Sequence, residues 1–457
     1  VKTLARERET CESSRMTTDP TRRDFVRTSA ATAAFVAFGA GCASAAKSPA
    51  PAAAPALAPA KPLAPGTLRL GMIGFGVRAR ELHGGFLDDE RVAIVSVADV
   101  AAARAAEGVR LVNARRGEGA CVVAANWRAI VADPSIDAVI ISTPDHWHAE
   151  PAIAAALAGK HVYCEKPLSL TIAEGRAIAN AARATGVVFQ TGSQQRSEFG
   201  YHFVRAAEAV RNGRIGTVKR ITIGIGEPPV PCDLPAEPLP DGIDWNAWLG
   251  QAPLRPFNRE LCPVGMHNHY PKWRNYREYC NGGLADMGAH HFDIAQWALE
   301  MDESGPREVI PPADGAKTGL RFVYANGIEM IHGGPTDCTF QGSLGTIECS
   351  RGHVRAYRGV DRTAPDAPEL LAPPAAGERS LPRNRSHIVD FLDAVRTGGE
   401  TIANAEVGHR TATICQLCNI GYEVGKPLTW DPLIERFTGA NAAEGNALLA
   451  RRVRPHA

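Results

Sequence analysis

A strand that runs straight into a glycine turn constrains this chain more than any other feature. Thr67 to Ile73 is a compact apolar stretch, Gly74-Phe75-Gly76-Val77-Arg78-Ala79 follows without a break, and a helical pattern then runs to about Leu87. Strand, glycine turn and helix in that order begin a βαβ unit and match the Gly-x-Gly-x-x-Gly/Ala fingerprint of a dinucleotide site. Gly74 permits the tight turn, Gly76 lets the backbone approach a pyrophosphate, and Ala79 lets helix pack on strand. The helix N-terminus offers free N–H groups to the phosphates. The next strand, Arg91 to Ala98, ends in Asp99. That is about twenty residues on, where an acidic side chain binds the adenosine ribose 2′-OH. A carboxylate there repels a 2′-phosphate, so NAD is favoured over NADP, although Arg104 nearby leaves NADP open. Gly74, Phe75, Gly76, Val77, Arg78 and Asp99 are the expected cofactor contacts of this segment.

The same alternation continues downstream. Asp137 to Ser142 is an apolar strand ending in Thr143-Pro144-Asp145-His146-Trp147-His148. His161 to Glu165 ends in Lys166-Pro167, a helix follows from Leu170 to Thr185, and Val187 to Thr191 leads into Gly192-Ser193-Gln194-Gln195-Arg196. Strands and helices alternating at this length predict a doubly wound parallel sheet. Open sheets of that kind place their chemistry at the carboxyl ends of the strands. Thr143, Pro144, His146, His148, Glu165, Lys166 and Gln195 therefore join the candidate cofactor-binding residues. Pro167 fixes the backbone beside Lys166 and removes a donor, so the ammonium is aimed by the chain. For Lys166 alone, a surface lysine in a βα turn is the better reading; the upstream glycine turn reverses that. His146 and His148 have no cysteine or glutamate partner at ligand spacing. A loop packed around the nicotinamide suits them better, and no metal is expected.

The pattern changes near Glu198. A helix from Phe203 to Asn212 leads to a strand from Thr217 to Gly226, and later strands alternate apolar and polar residues. Leu320 to Tyr324 and Ile328 to His332 flank Asn326-Gly327, a hairpin signal, and Thr346 to Cys349 and His353 to Tyr357 continue the series. These predict a mostly antiparallel sheet with helices on one face. Its other face is covered by a second subunit or left solvated. Between Glu227 and Cys280 lies a long irregular stretch with Trp245, Trp248, Tyr270, Trp273, Tyr276 and Tyr279. Such rings suit stacking on sugars and, equally, the packing of a long loop; loops this long are often functional. Gly282 to Asp293 then runs on into a helix to about Leu299. Asp286 and His290 are four apart and share a helical face. A carboxylate beside an imidazole orients it and raises its pKa, which suits general acid–base work. A solvated Asp–His pair is the alternative, and His291 is read as structural.

Composition narrows the function classes. A chain of 457 residues has room for two domains with full cores. A net charge of +1 gives no reason to expect nucleic acid or an anionic membrane as partner. None of the eleven cysteines falls at zinc-site spacing, and Cys415 and Cys418 lie inside a helical pattern as core residues. Thr21-Arg22-Arg23-Asp24-Phe25-Val26-Arg27 is a twin-arginine pattern, followed by an apolar stretch from Thr28 to Gly41 too short to span a bilayer comfortably. Residues before Met16 resemble an upstream-extended start. Cleavage after Ala43-Ser44-Ala45 and lipidation at Cys42, through a poor lipobox, are the two ways of processing it. Ala46 to Pro65 is an Ala/Pro-rich linker. Export through the twin-arginine machinery to the periplasm is the expectation.

The glycine turn, Thr143 to His148, Glu165-Lys166-Pro167, the Asp286/His290 pair and Trp430-Asp431-Pro432 together resemble the Gfo/Idh/MocA oxidoreductases, the family of glucose–fructose oxidoreductase and inositol dehydrogenase. The likeness runs from about Leu68 to Pro455. It implies an α/β architecture: an N-terminal Rossmann domain with a doubly wound parallel sheet (66–195), and a C-terminal α+β substrate and oligomerisation domain with a large, mostly antiparallel open sheet (196–457). These follow the signal segment (1–45) and the linker (46–65). Homodimers or homotetramers are implied, and often a cis Lys166–Pro167 bond, accessible at roughly 0.5–1 kcal/mol.

The resemblance also implies catalytic roles for Lys166, Asp286 and His290 in oxidising a hydroxyl of a sugar or cyclitol. His290 accepts the hydroxyl proton, Lys166 stabilises the developing negative charge and Asp286 orients His290. Export adds a condition, because no free NAD pool exists outside the cytoplasm: a bound cofactor must be recycled in place. A sugar–sugar oxidoreductase meets that condition. So does a redox glycosidase, which oxidises, eliminates, hydrates and reduces. A non-catalytic sugar-binding protein on the same fold is the third reading, and the joint presence of Lys166, Asp286 and His290 argues against it.

Overall fold

The computed structural model describes residues 65–455 apart from Thr336. The twin-arginine pattern, Cys42 and the linker up to residue 64 lie outside the described residues. In the first half, β1 (Leu68–Ile73), α1 (Val77–Leu87), β2 (Val92–Ala98), α2 (Ala102–Arg116), β3 (Val122–Val123), α3 (Trp127–Ala132), β4 (Ala138–Ile141), α4 (Ala149–Leu157), β5 (His161–Cys164), α5 (Ile172–Thr185) and β6 (Phe189–Thr191) alternate. Every pairing is parallel, in the order β3-β2-β1-β4-β5-β6. Every residue of β2 and β4 is buried, and their Val/Ile/Ala runs are those of strands covered on both faces. Strand order reverses between β1 and β4, so a crevice opens at their carboxyl ends. A capping box starts α5: Thr171 Oγ1 accepts from Glu174 N, and the Glu174 carboxylate accepts from Thr171 N. That cap holds the short connection after β5, where Lys166 sits.

The second half contains α6 (His202–Arg211), β7 (Val218–Ile223), α7 (Trp245–Leu249), α8 (Gly282–Ala298), β8 (Glu308–Ile310), β9 (Arg321–Val323), β10 (Glu329–His332), β11 (Cys338–Gly342), β12 (Thr346–Cys349), β13 (Val354–Tyr357), α9 (His387–Thr397), α10 (Ala405–Val424), β14 (Leu428–Asp431), β15 (Arg436–Thr438) and α11 (Ala442–Asn446). Its sheet runs β13-β12-β11-β7-β10-β9-β8-β14-β15, antiparallel throughout except where β7 meets β10. Burial alternates along β9 and β10, so one face is core, shared with Phe203 of α6, Phe292 of α8 and Leu417 of α10. The other face carries Arg220 and Arg321 paired with Glu329. Asn326-Gly327 closes the β9–β10 hairpin, with Gly327 at φ +80°.

Two late helices pack on the first sheet. Phe391 of α9 meets Phe86 and Tyr163 edge-on, and Ala405 and Ala412 of α10 share a core with Ile178 and Phe189. Packing therefore crosses the expected sequence boundary at 195/196. An amphipathic pattern shows that a helix has an apolar face, not which sheet that face covers.

Residues 227–280 join neither sheet. Around α7 they build an aromatic cluster of their own, with Trp245 stacked on Trp248 at 4.7 Å and Phe257, Trp273, Tyr276 and Tyr279 buried around them. Cys415 and Cys418 are buried, free thiols of α10. Among the described residues no helix is long and apolar enough to cross a membrane.

Candidate active site

The carboxyl ends of β1, β2, β4 and β5 open onto a cavity of about 1060 Å³, walled on the other side by α8 and by part of residues 242–274. Gly74 sits at φ +83°, and a Cβ there would lie 3.0 Å from the Ser142 carbonyl oxygen. Both the conformation and the close approach call for glycine. A Cβ on Gly76 would meet nothing within 4 Å, so the backbone there faces open space. Helix α1 starts at Gly76 with no side chain capping its first N–H groups, which leaves them for an anion. Asp99 braces the turn: Oδ2 accepts from Phe75 N at 2.7 Å and Oδ1 from Ala101 N at 2.8 Å. Glycine turn, uncapped helix N-terminus and carboxylate fit a dinucleotide. Arg104, the cation that left NADP open, lines the same cavity as Asp99 and donates to Pro263 O at 2.5 Å.

At the other end, Lys166 follows β5 and is joined to Pro167 by a cis peptide bond. Its Nζ donates to the Asp286 carbonyl oxygen at 2.6 Å and to Asp286 Oδ1 at 2.8 Å. Arg274 Nε stands 3.6 Å from the same Oδ1, its guanidinium lying over the Trp273 and Tyr270 rings at 4.1 and 4.6 Å. Burial works against ionisation of Asp286, but Lys166 and Arg274 outweigh it and hold the carboxyl below its ordinary range. His290, one helical turn on in α8, is buried and lines the cavity, and its Nδ1 has no hydrogen-bond partner. Burial first, then the charges of Lys166 and Arg351, push its pKa well below that of a free histidine. The imidazole is therefore neutral at pH 7. Among the described residues no cluster of three or more His, Cys, Asp or Glu is placed to hold a metal ion.

Residues 68–193 match the family model described as "Oxidoreductase family, NAD-binding Rossmann fold", and residues 231–456 match the model described as "Oxidoreductase family, C-terminal alpha/beta domain", both of the Gfo/Idh/MocA group. The chain belongs to the Gfo/Idh/MocA oxidoreductase family. It is 36% identical to 1,5-anhydro-D-fructose reductase of Ensifer adhaerens over 267 residues, which is 58% of this chain and 66% of that protein. It is 40% identical to myo-inositol 2-dehydrogenase of Thermotoga maritima over 102 residues, 22% of this chain and 30% of that one. The matches thus span about two thirds or less of these curated relatives. Levoglucosan dehydrogenase in complex with NADH shares the fold, with a TM-score of 0.52 at 20% identity over 79% of this chain and 98% of that one.

Within this Gfo/Idh/MocA cavity the structure separates the candidate residues into two groups. Gly74, Gly76, Val77, Arg78, Asp99, Thr143, Pro144, Glu165, Lys166, Asp286 and His290 all line it. Arg78 Nε donates to Glu165 Oε1 at 2.9 Å, and Glu165 also accepts from Gln194 Nε2 at 2.9 Å, so these residues brace one another along the wall.

Four candidates lie off the cavity. The Phe75 ring is wholly buried in the first-sheet core and only its N–H reaches Asp99. His146 Nε2 bonds Trp248 O at 2.9 Å, and His148 bridges Pro167 O and Thr143 O at 2.7 and 2.9 Å. Both imidazoles tie loops together. Gln195 is buried with its Nε2 3.3 Å from His291 Nδ1, while its neighbour Gln194 faces the cavity.

The Asp286–His290 couple expected from their spacing is not formed. Lys166 reaches the carboxylate first, and His290 is shifted down in pKa, not up. Residues that the sequence did not mark as site residues also line the cavity. Trp248, Tyr270 and Trp273 were visible as aromatics suited equally to stacking on sugars and to loop packing, whereas Arg274 and Arg351 carry no local signal. Asp145, in the middle of the Thr143–His148 motif, lines it too; burial raises its pKa and its Oδ2 has no partner.

Proposed function

We propose that the chain is an NAD-dependent oxidoreductase acting on a hydroxyl of a sugar, cyclitol or sugar derivative, with a bound cofactor recycled in place. The observation that carries this reading is the presence of Lys166, Asp286 and His290 in one cavity with the Gly74–Asp99 turn. The names of the relatives, an anhydrofructose reductase and an inositol dehydrogenase, support the substrate class. Held along the glycine turn and Asp99, NAD supplies a two-electron acceptor for the carbinol hydrogen. With a substrate hydroxyl in reach of both groups, the neutral His290 accepts its proton. Lys166 donates a hydrogen bond to the same oxygen and stabilises the charge that develops there. Asp286 is a positioning residue, holding the ammonium of Lys166 by two bonds. Export by the twin-arginine route and assembly as a homodimer or homotetramer belong to the same proposal.

The test is to incubate purified protein with sugars, cyclitols and aryl glycosides while recording the absorbance of its nicotinamide. Lasting reduction identifies a dehydrogenase, and reversal by a second sugar a sugar–sugar oxidoreductase. Aglycone release without net reduction identifies a redox glycosidase. No change across the panel sinks the enzymatic reading and leaves a sugar-binding protein.

A further inference from the structure

The match to the family's dinucleotide domain ends at Ser193, yet a second element reaches the same cleft. We propose that residues 242–271 are the other half of the dinucleotide site: a strap that retains the cofactor through repeated turnovers. The inference deepens the function proposed above and rests on it.

The strap is fastened on both sides of the glycine turn. Beyond β2, Ala101 and Ile243 form an antiparallel bridge, with Ala102 N donating to Gly242 O and Asp244 N to Val100 O, each at 2.9 Å. Arg104 of α2 adds its bond to Pro263 O. On the α1 side, Arg80 donates to His267 O and, at 3.1 Å, to Asn268 Oδ1, and Tyr270 OH donates to Glu81 Oε1 at 2.8 Å. Between these fastenings Gly242, Asp244, Trp248 and His267 line the same cavity as Gly74, Gly76 and Asp99.

The span is stiff. The Trp245–Trp248 stack anchors it internally, and Trp147 Nε1 donates to Trp248 O at 2.9 Å. Gly250, at φ +51°, lies so close that a Cβ would come within 2.3 Å of the Trp147 ring. A segment that merely joined the two halves would have no reason to form a cavity wall opposite the glycine turn. Here the fastenings flank that turn, so a dinucleotide lying between the walls leaves only when they open. Such retention is what a cofactor recycled in place requires.

The experiment loads full-length protein with NADH, removes free nucleotide by desalting, and follows loss of bound nicotinamide fluorescence in excess NAD. Arg80→Ala combined with Tyr270→Phe removes the α1-side fastening. Tyr270→Phe alone deletes one hydroxyl from a half-exposed ring and spares the aromatic cluster. The wild type is expected to keep about one nucleotide per chain. The double variant should release it at least about tenfold faster, the scale of one or two lost hydrogen bonds, and the single variant by a smaller factor in the same direction. Release from wild type as fast as from both variants overturns the strap while leaving the dinucleotide site standing. Failure of the wild type to bind NADH at all overturns that site and the function built on it.

Discussion

The two ends of the cavity are held by different kinds of group. At the dinucleotide end the backbone does most of the holding: the Gly74 conformation, the open backbone at Gly76 and the free N–H groups of α1, with the Asp99 carboxylate braced by Phe75 N and Ala101 N while it lines the cavity. At the reacting end, side chains from three distant stretches converge: Lys166 after β5, Arg274 from the long irregular segment, and Asp286 and His290 on α8. A backbone-built end fits in a short motif and binds any molecule with the right phosphates. A side-chain-built end exists only when the two halves of the molecule are packed.

That contrast can be broken by substitutions that act at one end only. The largest effect is expected from Lys166→Ala. Turnover should fall by about 10²–10⁴-fold, since both a charge-stabilising donor and the partner of Asp286 are lost, while the nucleotide-to-protein ratio after desalting stays that of the wild type. Near-normal turnover would sink the assignment. His290→Gln should lower kcat by roughly 10²-fold. Because His290 Nδ1 has no partner to lose, the thermal unfolding midpoint should barely move.

Gly74→Ala addresses the opposite end. A Cβ at φ +83°, 3.0 Å from the Ser142 oxygen, is strained by about 1–3 kcal/mol. Titration should show weaker nucleotide binding, with kcat at saturating nucleotide largely kept. A variant that instead bound nucleotide normally and lost kcat would show that the ends are not separable.

A scaffold residue makes the control. His146→Phe removes the bond to Trp248 O and should cost about 1–2 kcal/mol in denaturant unfolding, with turnover within about twofold of wild type. The smallest expectation concerns pH. The lowered pKa of His290 keeps it in the proton-accepting form as pH falls through about 6.5, the free-histidine value. The profile of kcat/KM should therefore stay flat there and drop only at more acidic pH. An acid limb centred at 6.5 would show that His290 is not the base, or that the cavity is wetter than its burial indicates.

Much of this was legible in the chain itself, and unevenly so. The first-sheet strands apart from the two-residue β3 were legible because parallel, doubly covered strands read as unbroken apolar runs, and a parallel sheet delivers all their carboxyl ends to one edge. The β9–β10 hairpin was legible because Asn326-Gly327 has few other uses. The histidines of the Thr143–His148 motif were not: a ring at a strand end can face the cleft or turn back on its own loop. Trp248 O, Thr143 O and Pro167 O decided the latter. Helix α9 was equally opaque, since only the rings of Phe86 and Tyr163 show where Phe391 belongs.

By itself, then, the chain's local pattern specified the strand–helix alternation around the glycine turn and Lys166, the β9–β10 hairpin and the backbone-borne half of the site, because hydrophobic period and turn chemistry act over a few residues. Tertiary structure alone decided that Asp286 pairs with Lys166 instead of its helical neighbour His290, that His290 is left neutral and unpartnered, and that residues 242–271 wall the cleft. One physical reason covers the first and the third, and the second follows from the first, since Lys166 takes the carboxylate that His290 would have had. A buried polar group takes whichever partner packing brings within bonding distance, and here that partner comes from a remote stretch of the chain.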